Sequence, residues 1–207
     1  MRNLNNDLLI HSINVSNYAV ILGKELNLSD DDLNILKMGG LLHDIGKILI
    51  PETILNKTTK LNKEEFQIIK KHTIIGELLL SNDLPKKIKE MIRYHHERID
   101  GKGYPDALKD NEIPYFAKIL SIVDAFDAMT TKRPYNQIKT LEETINELYK
   151  SSRPYLNQNG EVIQQFDAKL VDIFINCIKD NQNLSNYFNE KDVQIIKERK
   201  IKKNNKY

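Results

Sequence analysis

The chain has 207 residues, which suits one domain or one domain with a tail, and 40% of them are apolar, enough for a sizeable core. Charged residues make up 29% but the net charge is only +2, so a basic nucleic-acid-binding surface is not expected and an anionic ligand needs a local cluster. The single cysteine, Cys177, excludes an intrachain disulfide framework and is predicted to be a small buried residue. No signal peptide and no run of about 20 apolar residues is apparent, which predicts a cytoplasmic protein without a membrane partner.

Helical periodicity along the first half of the chain predicts four elements. Residues at alternating spacings of four and three predict a long first helix with one buried face, which includes His11. They are Leu4, Leu8, His11, Val15, Tyr18 and Leu22. Ser29 to Asp32 has the form of a capping box. The helix after it should run into His43-Asp44 and bury Met38, Leu41, Leu42 and Ile45. Pro51 opens a short turn through Asn56, and Asn62 with Glu65 begins a helix whose inner face carries Ile68, Ile69, His72, Ile75 and Leu79.

The second half continues the helical pattern. Pro85 begins a helix that ends near His95-His96, and residues 100–105 form a loop because they contain two glycines and a proline. Further helices are predicted from the buried set Phe116, Ile119, Leu120 and Val123, from the Thr140–Glu143 cap, and after Phe166-Asp167. Asn159-Gly160 indicates a small hairpin near 153–165. We therefore predict an all-α helical bundle with its metal site in the core, formed by residues 1–180, followed by a C-terminal helix and basic tail at 181–207.

The histidines carry the functional signal. A lone histidine on an apolar helix face, such as His11 or His72, is more often a hydrogen-bonded core residue. Buried pairs such as His43-Asp44 and His95-His96 would cost several kcal/mol if they lacked partners. Metal ions that hydrolyse a phosphate ester need neutral imidazoles and a carboxylate that bridges two ions. Asp7, four residues before His11, can reach the same point, although it could instead serve the helix dipole.

Five strings, taken in order, resemble the HD-GYP family of the HD phosphohydrolase superfamily. They are His43-Asp44-Ile45-Gly46-Lys47, Lys71-His72, His95-His96-Glu97 with Asp100-Gly101-Lys102-Gly103-Tyr104-Pro105, Asp124-Ala125-Phe126-Asp127-Ala128, and Arg133-Pro134-Tyr135. The match extends from about Leu8 to Phe174. A lone His-Asp pair would be weak evidence, but the combination is highly specific.

The resemblance implies an all-helical enzyme that hydrolyses cyclic di-GMP to pGpG and often on to GMP. It implies two or three divalent metal ions, typically iron or manganese, with Asp44 as the bridge and a bridging water, activated by the ions, as attacking group. The implied metal ligands are His11, His43, Asp44, His72, His95, His96 and Asp124. Lys47 would contact substrate phosphate and act in catalysis beside Asp44, Tyr104 would line the pocket, and Arg133 would hold the dinucleotide.

Several features leave alternatives open. Asp7 stands where members with three metals carry glutamate, and Asn136 stands where a second basic residue often contacts phosphate. The segment 152–165 is longer than usual in the family. The sequence does not include the sensory or receiver domain that commonly precedes such a domain, so we expect either a stand-alone enzyme or a fragment. The substrate could instead be a hybrid cyclic dinucleotide such as cyclic GMP-AMP or, less favoured, a mononucleotide, or the chain could be a non-hydrolysing sensor or scaffold. A protein partner could bind the Gly103-Tyr104-Pro105 loop, and the sequence does not indicate an oligomeric state.

Overall fold

The computed structural model describes residues 4–131 and 139–180 and confirms an all-α fold with a small hairpin. The helices are α1 Leu4–Glu25, α2 Asp30–Leu42, α3 Glu52–Leu55, α4 Lys63–Lys70, α5 His72–Leu79, α6 Lys86–Tyr94, α7 Tyr115–Thr130, α8 Leu141–Ser152 and α9 Ala168–Asp180. Short 3₁₀ helices lie at Ile45–Leu49 and Asp110–Glu112, and the strands are β1 Tyr155–Leu156 and β2 Val162–Ile163.

Capping residues begin the helices where the sequence predicted. Asn62 and Thr140 both form full capping boxes, which satisfy backbone N–H groups that the first turn leaves unpaired. At α2, Ser29 accepts a bond from the Asp32 backbone, but the Asp32 carboxylate instead accepts a bond of 2.7 Å from Lys87. The start of α2 is therefore tied to α6.

The predicted buried face of α2 is wrong in part. Met38 and Leu41 are 42% and 39% exposed, whereas Gly39 and Gly40 are buried. A Cβ at Gly40 would meet the backbone of Ser16 in α1, so the two helices approach through glycine. This close approach, rather than the apolar spacing, decides which face of α2 is buried.

The single helix predicted after Asn62 is divided into α4 and α5. Lys71 lies between them, and its N–H bonds the carbonyls of Ile68 and Ile69 as the chain turns. His72 begins α5 and is fully buried, while Leu79 is 47% exposed and lies off the predicted face. The break therefore places His72 at the first position of α5.

The hydrophobic core lies among α1, α2, α6, α7, α8 and α9. The ring of Phe126 packs edge-on against Tyr18 and Phe174, with centroid distances of 5.0 and 5.2 Å. The predicted α7 set is buried as expected: Phe116, Ile119, Leu120 and Val123. Cys177 is also buried, as predicted.

The hairpin is fastened to the loop at residues 100–105. Its turn uses Gly160 at a φ of +73°, a conformation that glycine adopts without strain. Just after β2, the carbonyls of Gln165 and Gln164 accept bonds of 3.1 and 3.0 Å from the N–H groups of Ile99 and Asp100. The hairpin therefore braces this loop.

Within residues 4–131 and 139–180, no helix is long and apolar enough to cross a membrane. The proposed boundary after residue 180 and the segment 181–207 concern residues outside the described ranges and stay predictions.

Candidate metal centre

Helix ends bring the histidines into one cluster. His43 follows the last residue of α2, His72 begins α5, and His95 follows the last residue of α6. The His95 ring centroid lies 5.1 Å from His43, 5.5 Å from His72 and 4.1 Å from His96. His11, on α1, completes the set at 5.1 Å from His43. The predicted convergence of all five imidazoles is thus present.

Three of these rings are oriented by the same local bond. The Nδ1 atoms of His43, His72 and His95 donate to the carbonyls three residues earlier, at 2.8, 2.7 and 2.9 Å. A carbonyl only accepts, so Nδ1 must carry the proton and Nε2 presents a lone pair. The helix ends therefore fix the tautomer that binds a metal.

Asp44 lies between two groups of these lone pairs. Its Oδ2 is 3.4 Å from His43 Nε2 and 3.7 Å from His11 Nε2, while its Oδ1 is 3.4 Å from His72 Nε2. The two oxygens thus face different histidines. This is the arrangement that a carboxylate bridging two cations requires.

Asp124, from α7, supplies a second carboxylate. Its Oδ1 is 3.1 Å from His11 Nε2 and 3.8 Å from His43 Nε2. Three groups of potential ligand atoms result, each with its atoms within 4.8 Å of one another: His72, His95 and His96; His11, His43 and Asp44; and His43, His95 and Asp124.

Burial sets the charge of the cluster. It lowers the pKa of His72 and His95, and it lowers the pKa of His96 to about 3. Burial opposes ionisation of both carboxylates, but Lys47 and His43 outweigh it at Asp44 and His11 outweighs it at Asp124, so both carboxyl pKa values lie well below the ordinary range. The neutral imidazoles of His72, His95 and His96 therefore lie beside ionised carboxylates at neutral pH, the protonation state that metal binding needs.

Two observations test whether these residues fit a metal. The Nε2 atoms of His72 and His95 lie 3.5 Å apart, and with both protons on Nδ1 they are two acceptors that face each other. His43 Nε2 and Asp44 Oδ1 are buried and make no hydrogen bond. Buried acceptors without donors are costly, and cations among them would remove that cost. The donor set therefore fits metal binding.

Asp127 is a functional residue that the sequence reasoning missed. It is buried on α7, and its Oδ2 lies 2.7 Å from His11 Nδ1, while its Oδ1 accepts bonds from Asn14 and Thr131. The carboxylate holds the His11 proton on Nδ1 and points Nε2 at Asp44 and Asp124. Its position three residues after Asp124, on the same helix face, was the available signal.

Lys47 lies at the edge of the cluster, and its contact with substrate phosphate stays a prediction. Its ammonium donates to Asp44 Oδ2 at 2.5 Å, and its side chain is 18% exposed. The positive charge therefore lies between the candidate bridge and solvent, where an anionic substrate could reach it.

Tyr104 is brought to the cluster by its loop. Its ring stacks on His96 at a centroid distance of 4.8 Å, and burial near Asp124 and Asp44 raises its pKa, so the phenol keeps its proton. Glu97, which was not predicted as a site residue, is buried and accepts bonds from the N–H groups of Asp106 and Leu108 at 2.7 and 3.1 Å. The position of Glu97 directly after two histidines was the only signal in the sequence for this loop anchor.

Three predicted site residues stay predictions. Arg133 and Asn136 lie outside the described residues. Asp7 lies on α1 one turn before His11, but none of the three groups found among the described residues includes it.

The chain is similar in sequence to proteins of one known family. The HD domain family pattern matches residues 3–159. The response regulator RpfG of Xanthomonas campestris pv. campestris, a cyclic di-GMP phosphodiesterase, is 36% identical over 164 residues, which cover 78% of this chain and 41% of RpfG. The 3'3'-cGAMP-specific phosphodiesterase 2 of Vibrio cholerae is 34% identical over 168 residues, which cover 80% of this chain and 30% of that protein.

Among solved structures, the HDG"Y"P protein Bd1817 from Bdellovibrio bacteriovorus superimposes with a TM-score of 0.65 at 21% identity, covering 86% of this chain and 55% of Bd1817. This likeness shows the fold. The chain belongs to the HD domain family, and its signature strings put it in the HD-GYP branch. It spans less than half the length of the two curated relatives.

Proposed function

We propose that the chain is a metal-dependent phosphodiesterase that hydrolyses cyclic di-GMP to pGpG, GMP or both. The observation that carries this proposal is the convergence of five buried or partly buried imidazoles with Asp44 and Asp124, in which the Nδ1 bonds of His43, His72 and His95 leave their Nε2 lone pairs free for a metal. The relative RpfG, named a cyclic di-GMP phosphodiesterase, supports the same chemistry.

The proposed metal ligands are His11, His43, Asp44, His72, His95, His96 and Asp124. Asp7 is a further proposed ligand if a third ion binds. Two divalent ions, iron or manganese, would supply Lewis-acid activation of water and neutralise the phosphodiester charge. Asp44 would hold both, because its oxygens face separate histidines. Iron and manganese are proposed because the resemblance to the HD-GYP family implies them, whereas imidazole and carboxylate ligands accept manganese, iron and zinc alike.

The remaining residues act on the substrate. Lys47 would turn from Asp44 to a phosphoryl oxygen and stabilise the charge that develops there during in-line attack. The neutral phenol of Tyr104 would donate a hydrogen bond to the bound dinucleotide. Arg133 and Asn136 remain proposed substrate contacts. Asn136 should bind phosphate more weakly than the basic residue that the family often has at this position.

A hybrid dinucleotide is the second candidate substrate. It is favoured by the relative from Vibrio cholerae, which is named a 3'3'-cGAMP-specific phosphodiesterase. A cytoplasmic location and a protein partner at the Gly103-Tyr104-Pro105 loop also stay predictions.

The experiment is hydrolysis of cyclic di-GMP, 3'3'-cGAMP and cyclic di-AMP by purified protein loaded with Mn(II) or Fe(II). We expect cyclic di-GMP to be cleaved fastest, and His43→Ala with Asp44→Ala to abolish cleavage. Asp31→Ala, an exposed acid in the first turn of α2, is the control and should retain full activity. Activity that survives the double replacement contradicts the mechanism, and tight binding without turnover indicates a sensor.

A further inference from the structure

A second group of side chains adjoins the histidine cluster through Tyr104. Its ring contacts His96 on one side and Phe66 of α4 on another, with centroid distances of 4.8 and 6.4 Å. Lys70, one turn after Phe66, holds its ammonium 5.0 Å from the Phe66 centroid and 5.1 Å from the Tyr104 centroid. Tyr104, Phe66 and the Lys70 ammonium thus form a continuous group of side chains that starts at the candidate metal ligand His96.

Phe66 is exposed but held in place. It is 44% exposed, a large fraction for an apolar ring beside a buried cluster. Its N–H donates a helical bond to the carbonyl of Asn62, and the neighbouring Glu65, which forms the capping box with Asn62, accepts two bonds of 2.6 Å from Lys57. Because α4 is firmly capped, the exposed Phe66 ring is held in place and is suited to stacking on a planar ligand.

Lys70 keeps its charge available. The nearby Lys57 is paired with Glu65, whereas Lys70 pairs with no carboxylate among the described residues and lies over two ring faces instead. Lys70 is partly buried, and a ligand with acceptor atoms can bind its ammonium without breaking an ion pair.

We infer that Phe66, Lys70 and Tyr104 form a nucleobase subsite that reads guanine. This inference rests on the proposed function, because it requires a cyclic dinucleotide whose phosphodiester lies at the histidine cluster. The base stacks on Phe66, and the Lys70 ammonium donates to O6 and N7 of guanine. Adenine carries an amino donor in place of O6, so the same lysine disfavours it.

The Lys70 test compares kcat/KM for three dinucleotides and for bis(p-nitrophenyl) phosphate, a diester without bases. Lys70→Met keeps the length and apolar stem of the side chain but removes its charge. We expect kcat/KM for cyclic di-GMP to fall about 10- to 100-fold, with cyclic di-AMP and the base-free diester nearly unchanged. Lys63→Met, exposed at the start of α4, is the matched control and should change nothing.

The Phe66 test separates stacking from apolar bulk. Phe66→Leu should lower kcat/KM for every dinucleotide about tenfold, and Phe66→Trp should restore it, because stacking tolerates any base. The base-free diester should be cleaved equally by all three proteins. Equal loss on the base-free diester, or no loss on the dinucleotides, overturns the inference.

A binding measurement keeps the two proposals distinct. If the wild type cleaves bis(p-nitrophenyl) phosphate but no dinucleotide, the proposed function fails. GMP and AMP titrations of the metal-free protein, followed by NMR, then test the subsite directly. We expect GMP to bind more tightly than AMP and Lys70→Met to abolish the difference. Equal affinity of the wild type for GMP and AMP refutes guanine recognition.

Discussion

At the scale of single residues, Asp127 controls the nitrogen that His11 offers to the centre. Thr131 and Asn14 both donate to Asp127 Oδ1, so only the other oxygen faces His11. In Asp127→Asn the amide oxygen must stay with those donors, and the NH₂ group faces His11 Nδ1. The imidazole proton is then forced onto Nε2, where it blocks metal binding.

We therefore expect Asp127→Asn to lower metal affinity about 10- to 100-fold, measured by competition with a chelating dye. Thr131→Val removes one bond to Asp127 but leaves the bond to His11, so its affinity should stay near wild type. Equal effects of the two changes would show that Asp127 acts only on packing.

Residue-scale prediction succeeded where polar residues interrupt apolar faces. His43 and Asp44 could be identified because a buried pair needs partners, and both are buried. Asp127 and Glu97 were missed, because a single carboxylate near a helix end has many ordinary uses, and the partner of Asp127 is also distant in sequence. His11 and Asp127 are 116 residues apart.

At the scale of elements, Gly46 sets the distance between the 3₁₀ helix Ile45–Leu49 and α5. A Cβ there would collide with the His72 carbonyl and approach the Gly76 nitrogen. Gly46→Ala must push α5 away from Asp44, which moves His72 off the cluster. We expect a loss of about 1–3 kcal/mol in the free energy of unfolding, together with weaker metal binding.

Gly160→Ala is the matched control for this prediction. Gly160 has a φ of +73° and nothing within 4 Å of an added Cβ, so the alanine adds strain without collision. It should cost about 1 kcal/mol of stability and leave metal binding unchanged. Urea unfolding and metal titration of both variants check the pair, and unaltered metal binding in Gly46→Ala would contradict the expectation.

The loop that carries Tyr104 depends on Glu97. Glu97→Gln replaces one acceptor oxygen by an NH₂ group, so either the Asp106 or the Leu108 N–H loses its partner. We expect KM for cyclic di-GMP to rise about three- to tenfold, because Tyr104 is less well positioned. Glu142→Gln, an exposed residue in the first turn of α8, is the control, and an equal rise in KM there would reject the anchor role.

Elements were predictable where side chains cap or break helices. Asn62 and Thr140 begin helices for local reasons, and both starts are correct. The face of α2 and the break at Lys71 depend on contacts with other helices, such as Gly40 against Ser16, which periodicity does not record.

At the scale of the whole molecule, metal binding should stabilise the fold, because α1, α2, α5, α6 and α7 all contribute to the cluster. At 100 times the dissociation constant, binding adds about 2.7 kcal/mol, which raises Tm by about 5–10 °C for a protein of this size. Differential scanning fluorimetry with Mn(II) measures the shift. Ca(II), which prefers oxygen ligands, is the control and should give little shift. Equal shifts for both ions would contradict imidazole ligation.

The all-α architecture was predictable because almost every segment repeats with helical period, and the structure confirms it over the described residues. The number of ions was not predictable, because it depends on whether Asp7, one methylene shorter than the glutamate of members with three metals, reaches the cluster.

The most direct test is stepwise addition of Mn(II) to metal-free protein while cyclic di-GMP hydrolysis is followed by chromatography. We predict no product without metal, and a rate that rises to its maximum near two equivalents, because Asp44 faces two sets of histidines. Hydrolysis by the metal-free protein, or binding of two equivalents without any turnover, would contradict the proposed function.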